Sequence, residues 1–162
     1  GGDHETRVRQ EIMLGMGGVI ALHALGHNPT TYHMNEGHSA FMALQRIKDL
    51  IQREGISFEQ AIETVKAGSL FTTHTPVPAG NDMFDAGLIK YYFGKFCRDV
   101  GISVDRLLEL GRQNPGDLGE PFLRATLMDL LGALHAELLR AFRAVFKEFR
   151  GGFARNLKII PW

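Results

Sequence analysis

The feature that most constrains the fold is an alternation of amphipathic helical segments with two short β-prone runs. Apolar residues recur at three- and four-residue steps, as on one face of a helix, in residues 5–25 and 40–54. Capping residues and glycine stops predict further helices in residues 57–66, 86–100 and 104–110. The two runs that favour strands are residues 29–34 and 69–73. This order predicts an α/β, helix-rich fold with few parallel strands. Because two strands are too few for a stable parallel sheet, we expect a fragment of a larger sheet.

Small residues set the predicted ends of the helices. Gly26, Gly55 and Gly101 stand where a left-handed residue would end a helix. Ser57 with Gln60 three residues later predicts a capping box at the start of the helix that follows.

Three glycines, Gly15, Gly17 and Gly18, interrupt the first predicted helix. Each costs roughly 1 kcal/mol relative to alanine in a helix interior, so they need a compensating role. Close packing of this helix on a neighbour is the favoured interpretation. A phosphate-binding loop is the alternative, but Gly-x-Gly-Gly matches no complete fingerprint and no strand precedes it.

The last quarter of the chain differs in character. Residues 115–121 have the composition of a linker, and residues 127–149 predict a long C-terminal helix with a regular apolar stripe. We therefore divide the chain into a segment of residues 1–122 and a divergent helical tail of residues 123–162. The stripe packs either on the chain's own core, which we favour, or on a partner.

Composition narrows the classes of protein and partner. The 162 residues carry no net charge, so no overall field attracts nucleic acid or an anionic membrane, and no apolar run is long enough to span a bilayer. The single cysteine, Cys97, cannot form an internal disulfide, which favours a cytoplasmic setting, and we expect it to be buried on a helix. The start of the chain lacks the regions of a signal peptide. The absence of an initiator methionine predicts a chain that is processed, trimmed or cut from a longer one.

The segments after the two predicted strands hold the candidate binding residues. Asn35, Glu36 and His38 follow the first strand, and His74 follows the second. In open α/β sheets ligands bind at the carboxyl ends of strands, and this mixture of donors and acceptors suits sugar hydroxyls. The alternative is that the histidines only cap or fill local structure.

A metal site is the weaker chemical alternative. His23 and His27 have the i, i+4 spacing of a helical metal pair, but Gly26 predicts that the helix ends between them. With no cysteine pair to assist, we predict no metal ligands.

Three blocks of sequence carry a specific resemblance. Residues 32–41 read Tyr-His-Met-Asn-Glu-Gly-His-Ser-Ala-Phe, and residues 71–84 read Phe-Thr-Thr-His-Thr-Pro-Val-Pro-Ala-Gly-Asn-Asp-Met-Phe. The third block comprises Gly-Gly-Asp at the start, Arg-Val-Arg-Gln-Glu at residues 7–11 and Leu-Gly-Met-Gly-Gly at residues 14–18. Together they resemble the short-type α-glucan (glycogen/maltodextrin) phosphorylases, over residues 1–122.

The resemblance implies a fold, a cofactor and a reaction. It implies the later part of a Rossmann-like N-terminal domain of the GT-B type, in pyridoxal-phosphate enzymes that transfer a glucosyl unit from an α-1,4-glucan to phosphate. By the same resemblance His74 is the catalytic residue, positioning the transferred sugar and its hydroxyls. Asn35, Glu36 and His38 lie near the same sugar as substrate-binding residues, and Glu36 is not a general acid.

Departures from the family pattern limit the expected activity. The lysine that holds the cofactor and an early glycine-rich loop of the family fall outside this chain, and the family's Asn-Gly-Val-Ser and Leu-His-Gly motifs are absent after residue 122. We therefore expect the chain alone to be inactive and to bind no pyridoxal phosphate, and its cofactor-binding residues are unassigned. The alternative is a non-catalytic helical interaction module that keeps sugar-contacting residues, with a homo-oligomer as one form of it.

Overall fold

The computed structural model describes residues 3–35, 37–72, 83–117, 119–123 and Leu127. The helices are α1 (His4–Ile12), α2 (Gly18–Ala24), α3 (Met42–Glu54), α4 (Phe58–Ala67), α5 (Ala86–Val100) and α6 (Val104–Leu110). A π-helical turn (Met13–Gly17) joins α1 to α2, and a 3-10 turn (Gly37–Ser39) precedes α3. The strands are β1 (Tyr32–Asn35), β2 (Ser69–Thr72), β3 (Met83–Phe84) and β4 (Phe122–Leu123).

The described residues form two separate pairs of strands in this helix-rich α/β chain. β1 and β2 are parallel, with Tyr32 opposite Ser69 and Asn35 opposite Thr72, as the order of helices and strands predicts. β3 and β4 are antiparallel, with Phe84 opposite Phe122. The second pair was not predicted, because two-residue strands carry no periodicity of their own. β4 crosses the predicted boundary between residues 122 and 123.

The helix limits agree with the capping residues. Ser57 and Gln60 form the predicted capping box, in which the Gln60 backbone N–H donates to Ser57 Oγ at 3.2 Å and the Ser57 N–H donates to Gln60 Oε1 at 2.9 Å. Gly26, Gly55 and Gly101 have φ angles of 81°, 65° and 75°, the left-handed conformation that glycine adopts most readily. These predictions are confirmed.

Of the three glycines in the first helical segment, one explains the close packing. A Cβ on Gly15 would lie 2.7 Å from the Met42 backbone nitrogen, whereas a Cβ on Gly18 would meet no described atom within 4 Å. Among the described atoms, a Cβ on Gly17 would meet only the Ile12 carbonyl oxygen of its own helical segment, at 4.0 Å. The close-packing prediction is therefore confirmed at Gly15 and wrong at Gly17 and Gly18. Helical backbone runs through this segment, so the alternative of a phosphate-binding loop is excluded.

The core is centred on an aromatic cluster formed by Phe41, Phe84, Phe93 and Phe122. The Phe41 ring lies 4.7 Å from that of Phe93, 6.2 Å from that of Phe84 and 6.4 Å from that of Phe122, measured between ring centroids. Around it the buried faces of α3, α4, α5 and α6 form one continuous core. Cys97 is buried on α5 as predicted, and its burial raises the pKa of the thiol.

The predicted linker is a loop held by specific contacts. The Glu120 carboxylate accepts hydrogen bonds from the backbone N–H groups of Gln113 (3.0 Å) and Asn114 (2.9 Å), and Arg112 Nε donates to the Glu120 carbonyl at 3.0 Å. Of the predicted helix of residues 127–149, only Leu127 is among the described residues, and it is fully buried. The rest of that prediction lies outside them.

Within the described residues, no helix combines the length and the apolar composition needed to cross a bilayer.

Candidate functional site

The carboxyl ends of β1 and β2 lie side by side. Asn35 and Thr72 are register partners at the last positions of the two strands. A hydrogen bond of 2.8 Å joins His33 Nε2 to Thr72 Oγ1, directly before the two segments that carry the predicted site residues. His33 was not predicted as a site residue, although it belongs to the block of residues 32–41.

Two of the four predicted site residues are described. Asn35 is exposed at the end of β1, and His38 is exposed in the 3-10 turn that follows. Glu36 and His74 lie outside the described residues. The structure therefore brings Asn35 and His38 to one end of the sheet, and the placement of Glu36 and His74 stays a prediction.

His38 borders a hollow of about 200 Å³ on the side of α1. Its other lining residues are Arg7, Gln10, Glu11 and Leu14. Glu11 is almost fully buried and forms an ion pair with Arg7, whose Nε lies 3.4 Å from Glu11 Oε1. Hydrogen-bond donors and acceptors of α1 thus line the same hollow as His38.

Sequence reasoning missed the contribution of α1 to this hollow. Arg7, Gln10 and Glu11 belong to the third block, so the signal was present in the sequence. Their nearness to His38 depends on the approach of the π-helical turn to the 3-10 turn, since a Cβ on Gly15 would lie 3.2 Å from the Ser39 carbonyl oxygen.

The core holds the chain on both sides of the candidate loops. Phe41 follows the His38 turn and Phe84 follows residues 73–82, and both rings belong to the aromatic cluster. A buried ring with defined neighbours limits the movement of the backbone that carries it. The described residues that precede the two candidate segments belong to the β1–β2 sheet, and Phe41 and Phe84, which follow them, belong to one core.

His23 and His27, the two residues of the alternative metal site, do not lie on the same helix. α2 ends at Ala24, and His27 lies beyond the left-handed Gly26. His23 instead contacts Tyr32, with 3.1 Å between Nε2 and the hydroxyl oxygen, and its Nδ1 lies 3.3 Å from Asp49 Oδ2. Among the described residues no group of three or more His, Cys, Asp or Glu side chains is placed to hold a metal ion.

The four described lysines lie away from the hollow beside His38. Lys48, Lys66, Lys90 and Lys95 each lie within 4.0 Å of a carboxylate. None of these four lines the hollow beside His38. The described part of the chain therefore offers no lysine to carry the cofactor at this site.

The sequence is similar to curated glucan phosphorylases. It is 34% identical to the glycogen phosphorylase of Mycobacterium tuberculosis over 165 residues, which cover 94% of this chain and 19% of the relative. It is 43% identical to the maltodextrin phosphorylase of Thermococcus litoralis over 67% of this chain and 13% of that protein. The glycogen phosphorylase of Aquifex aeolicus is 41% identical over 79% of this chain and 18% of its own length. No protein-family model matches the chain.

The extent of these matches has two consequences. The chain spans at most about a fifth of the length of these relatives. The Mycobacterium match, at 94% of the chain, is too long to fit within residues 1–122 and reaches into the predicted tail. The chain corresponds to only part of the full length of its relatives. With this level of identity over most of its own length, it belongs to the glycogen and maltodextrin phosphorylase family.

Proposed function

We propose that this chain forms part of the glucose-contacting wall of an α-glucan phosphorylase. Such an enzyme transfers a glucosyl unit from an α-1,4-glucan to phosphate and produces glucose 1-phosphate. The observation that carries the proposal is the hollow beside His38, which Arg7, Gln10 and Glu11 line with donors and acceptors. A sugar ring presents hydroxyl groups in several directions, and such a mixture of polar groups suits their recognition.

The proposed roles are binding and orientation. Asn35 and His38 would hydrogen-bond the sugar or its acceptor side from the end of β1, and Glu36 would contribute to the same turn without acting as a general acid. His74 would position the transferred glucosyl unit, so that its hydroxyls are oriented as positive charge develops at the anomeric carbon. The hydrogen bond between His33 and Thr72 supports these roles, because it joins the ends of the two strands that precede the candidate residues.

The proposed function also requires a larger sheet and a cofactor, which the described residues do not supply. The parallel β1–β2 pair is suited to a larger Rossmann-like sheet of the GT-B type, since a parallel sheet of two strands is too small to stand alone. Pyridoxal phosphate would supply the phosphate group that moves the proton. It would be held by residues outside the described part of this chain, so the chain alone should not carry out phosphorolysis.

A direct experiment tests the claim of incompleteness. The purified chain is incubated with maltoheptaose, phosphate and pyridoxal phosphate, and glucose 1-phosphate is measured with a coupled assay. We expect no product above a blank without protein. Sustained formation of glucose 1-phosphate would contradict the claim.

A chimera tests the sugar-contacting role. Residues 1–122 replace the matching segment of the Mycobacterium tuberculosis glycogen phosphorylase, and the exchange is checked for retained activity. In that chimera we expect His74→Gln and His38→Gln each to lower kcat/KM at least about tenfold, because each removes a contact that orients the sugar. His27→Gln is the matched control, since His27 is exposed and lies outside the hollow. Equal kcat/KM in all three variants would refute the proposed role.

The alternative of an interaction module has one observation in its favour. Met13, Leu14, Ile20 and Leu25 are exposed on the first helical segment. This surface suits a protein partner, but it suits contact with the remainder of a phosphorylase equally well.

A further inference from the structure

The outer face of the β1–β2 pair carries polar side chains at the ends of the strands. Buried and exposed side chains alternate along β1, and His33 and Asn35 are the exposed ones. Thr72 of β2 lies opposite Asn35 in the parallel register, and its half-buried side chain belongs to the same face. Three polar side chains therefore share the face that leads to the carboxyl ends of both strands.

His33 reaches along this face towards the carboxyl end of β2. Its register partner is Leu70, yet its Nε2 lies 2.8 Å from the hydroxyl oxygen of Thr72, two residues farther along that strand. The imidazole thus leans towards the candidate site instead of lying straight across from its partner. A threonine hydroxyl both donates and accepts, so the hydrogen bond can form with either tautomer of the histidine.

Other contacts hold the two strands together. The Tyr32 backbone N–H donates to the Gly68 carbonyl at 2.9 Å, which pairs the strands at their starts. Arg46 fixes the start of β2 from the interior, where its guanidinium donates to Ser69 Oγ at 2.7 Å. A hydrogen bond between exposed side chains competes with water and adds only modestly to stability. The main effect of the His33 contact is therefore on the orientation of side chains.

The contact restrains the last side chain of β2. Because Thr72 is β-branched, a hydrogen bond between its hydroxyl and His33 also fixes the direction of its methyl group. Thr72 stands two positions before His74 in the sequence. Its register partner Asn35 ends β1, shortly before the 3-10 turn that carries His38. One hydrogen bond thus links the two described strand ends that precede the candidate residues.

We propose that His33 is a positioning residue of the sugar site and acts through Thr72. It holds the Thr72 side chain in one orientation beside Asn35, and this restricts the path of the residues that follow each strand. Small misplacements of a positioning group slow the transfer step strongly, even where the substrate still binds. This inference rests on the proposed function, because a positioning residue needs a site to act on.

Kinetics of the chimera that carries residues 1–122 test this role. His33→Leu and Thr72→Val should each lower kcat about tenfold and change KM less than about twofold, because the sugar still binds but is less well oriented. The double variant should lose no more than either single variant, since both remove the same hydrogen bond. His33→Gln and Thr72→Ser keep a group that can form this bond, so each should retain kcat within about threefold.

Amide NMR of the whole 162-residue chain provides a measurement that needs no activity. His33→Leu should shift the signals of His38 and His74, because the restraint on both strand ends is lost. His27→Leu is the matched control, since His27 is exposed and precedes β1, and it should leave both signals in place. Neither change should alter the melting temperature by more than about 3 °C, as expected for exposed side chains.

The results distinguish this inference from the proposed function. If His38→Gln and His74→Gln lower kcat/KM but His33→Leu and Thr72→Val leave kcat unchanged, the positioning role is overturned and the sugar site stands. If none of the four variants changes kcat/KM, both are overturned. Unshifted His38 and His74 signals in the His33→Leu chain, or a loss of kcat that His33→Gln and Thr72→Ser share in full, would also refute the positioning role.

Discussion

At the scale of single residues, the candidate site depends on Gly15, which does not itself line the hollow beside His38. Gly15 lets the first helical segment approach the backbone of Ser39 and Met42, which brings Arg7, Gln10 and Glu11 beside His38. A side chain at position 15 would fit only if the backbone of Ser39 and Met42 moved away from this helical segment. The position of the polar hollow is thus set by the absence of a Cβ atom.

Gly15→Ala should destabilise the chain by about 1–3 kcal/mol, because the added methyl group would be forced against backbone atoms that cannot rotate away. Gly18→Ala is the matched change in the same helical segment. It should stabilise the chain by about 0.5–1 kcal/mol, since alanine favours helix and the described structure leaves room for its Cβ.

Urea denaturation followed by circular dichroism measures both changes as free energies of unfolding. If Gly15→Ala unfolds at the same or higher urea concentration than the unmodified chain, the close contact is not as described.

At the scale of elements, an ionic contact joins α3 to α5. Asp99 Oδ2 accepts from Lys48 Nζ on α3 at 2.7 Å and from Lys95 Nζ on its own helix at 2.7 Å. The hydrogen bonds from Lys48 and then Lys95 lower the pKa of Asp99 to about 2. The carboxylate is therefore favoured in the folded state.

This shift predicts a pH dependence with a defined sign. The pKa of Asp99 is about 2 in the folded chain and 3.8 in an unperturbed aspartate, so unfolding takes up a proton between these pH values. The contribution of Asp99 to stability is complete above about pH 4 and is lost as the pH falls towards 2.

Asp99→Asn should lower stability at pH 6 and reduce the slope of stability against pH between about 2 and 4. Asp105→Asn, at an exposed aspartate of α6 that lies 3.9 Å from Lys90, should leave that slope unchanged. Urea midpoints at several pH values provide the measurement. A slope that Asp99→Asn leaves intact would mean that other carboxylates produce it.

At the scale of the whole molecule, the described structure exposes apolar surface on its first helical segment. Met13 is 77% exposed, Ile20 53% and Leu25 74%, and the chain carries no net charge to oppose association. We expect the isolated chain to self-associate through this surface.

The double variant Met13→Lys with Ile20→Glu should shift the chain towards the monomer, because it places two charges on one helix face without changing the net charge. Gln52→Lys with Thr6→Glu adds the same two charges at exposed polar positions and serves as the control. Sedimentation equilibrium at several concentrations measures the association. A chain that stays monomeric at high concentration would contradict this expectation.

Much of the local structure could be predicted from the sequence, for a physical reason. The apolar period of each helix, the Ser57–Gln60 capping box and the glycines at helix ends act over a few residues, so they can be read directly along the chain. The parallel pairing of β1 and β2 followed from the order of the elements. The sequence blocks also identified the family, because each block is a specific run of residues that chance explains poorly.

Contacts between distant residues were decided only by the tertiary structure. The pairing of Phe84 with Phe122 joins two-residue strands, which leave no local signal. Which glycine packs closely depends on the backbone of a segment that is distant in sequence. The sequence by itself determined the helices, the two parallel strands and the family of this protein. Their packing placed His38 beside α1, because contacts across the fold are not encoded in any one segment.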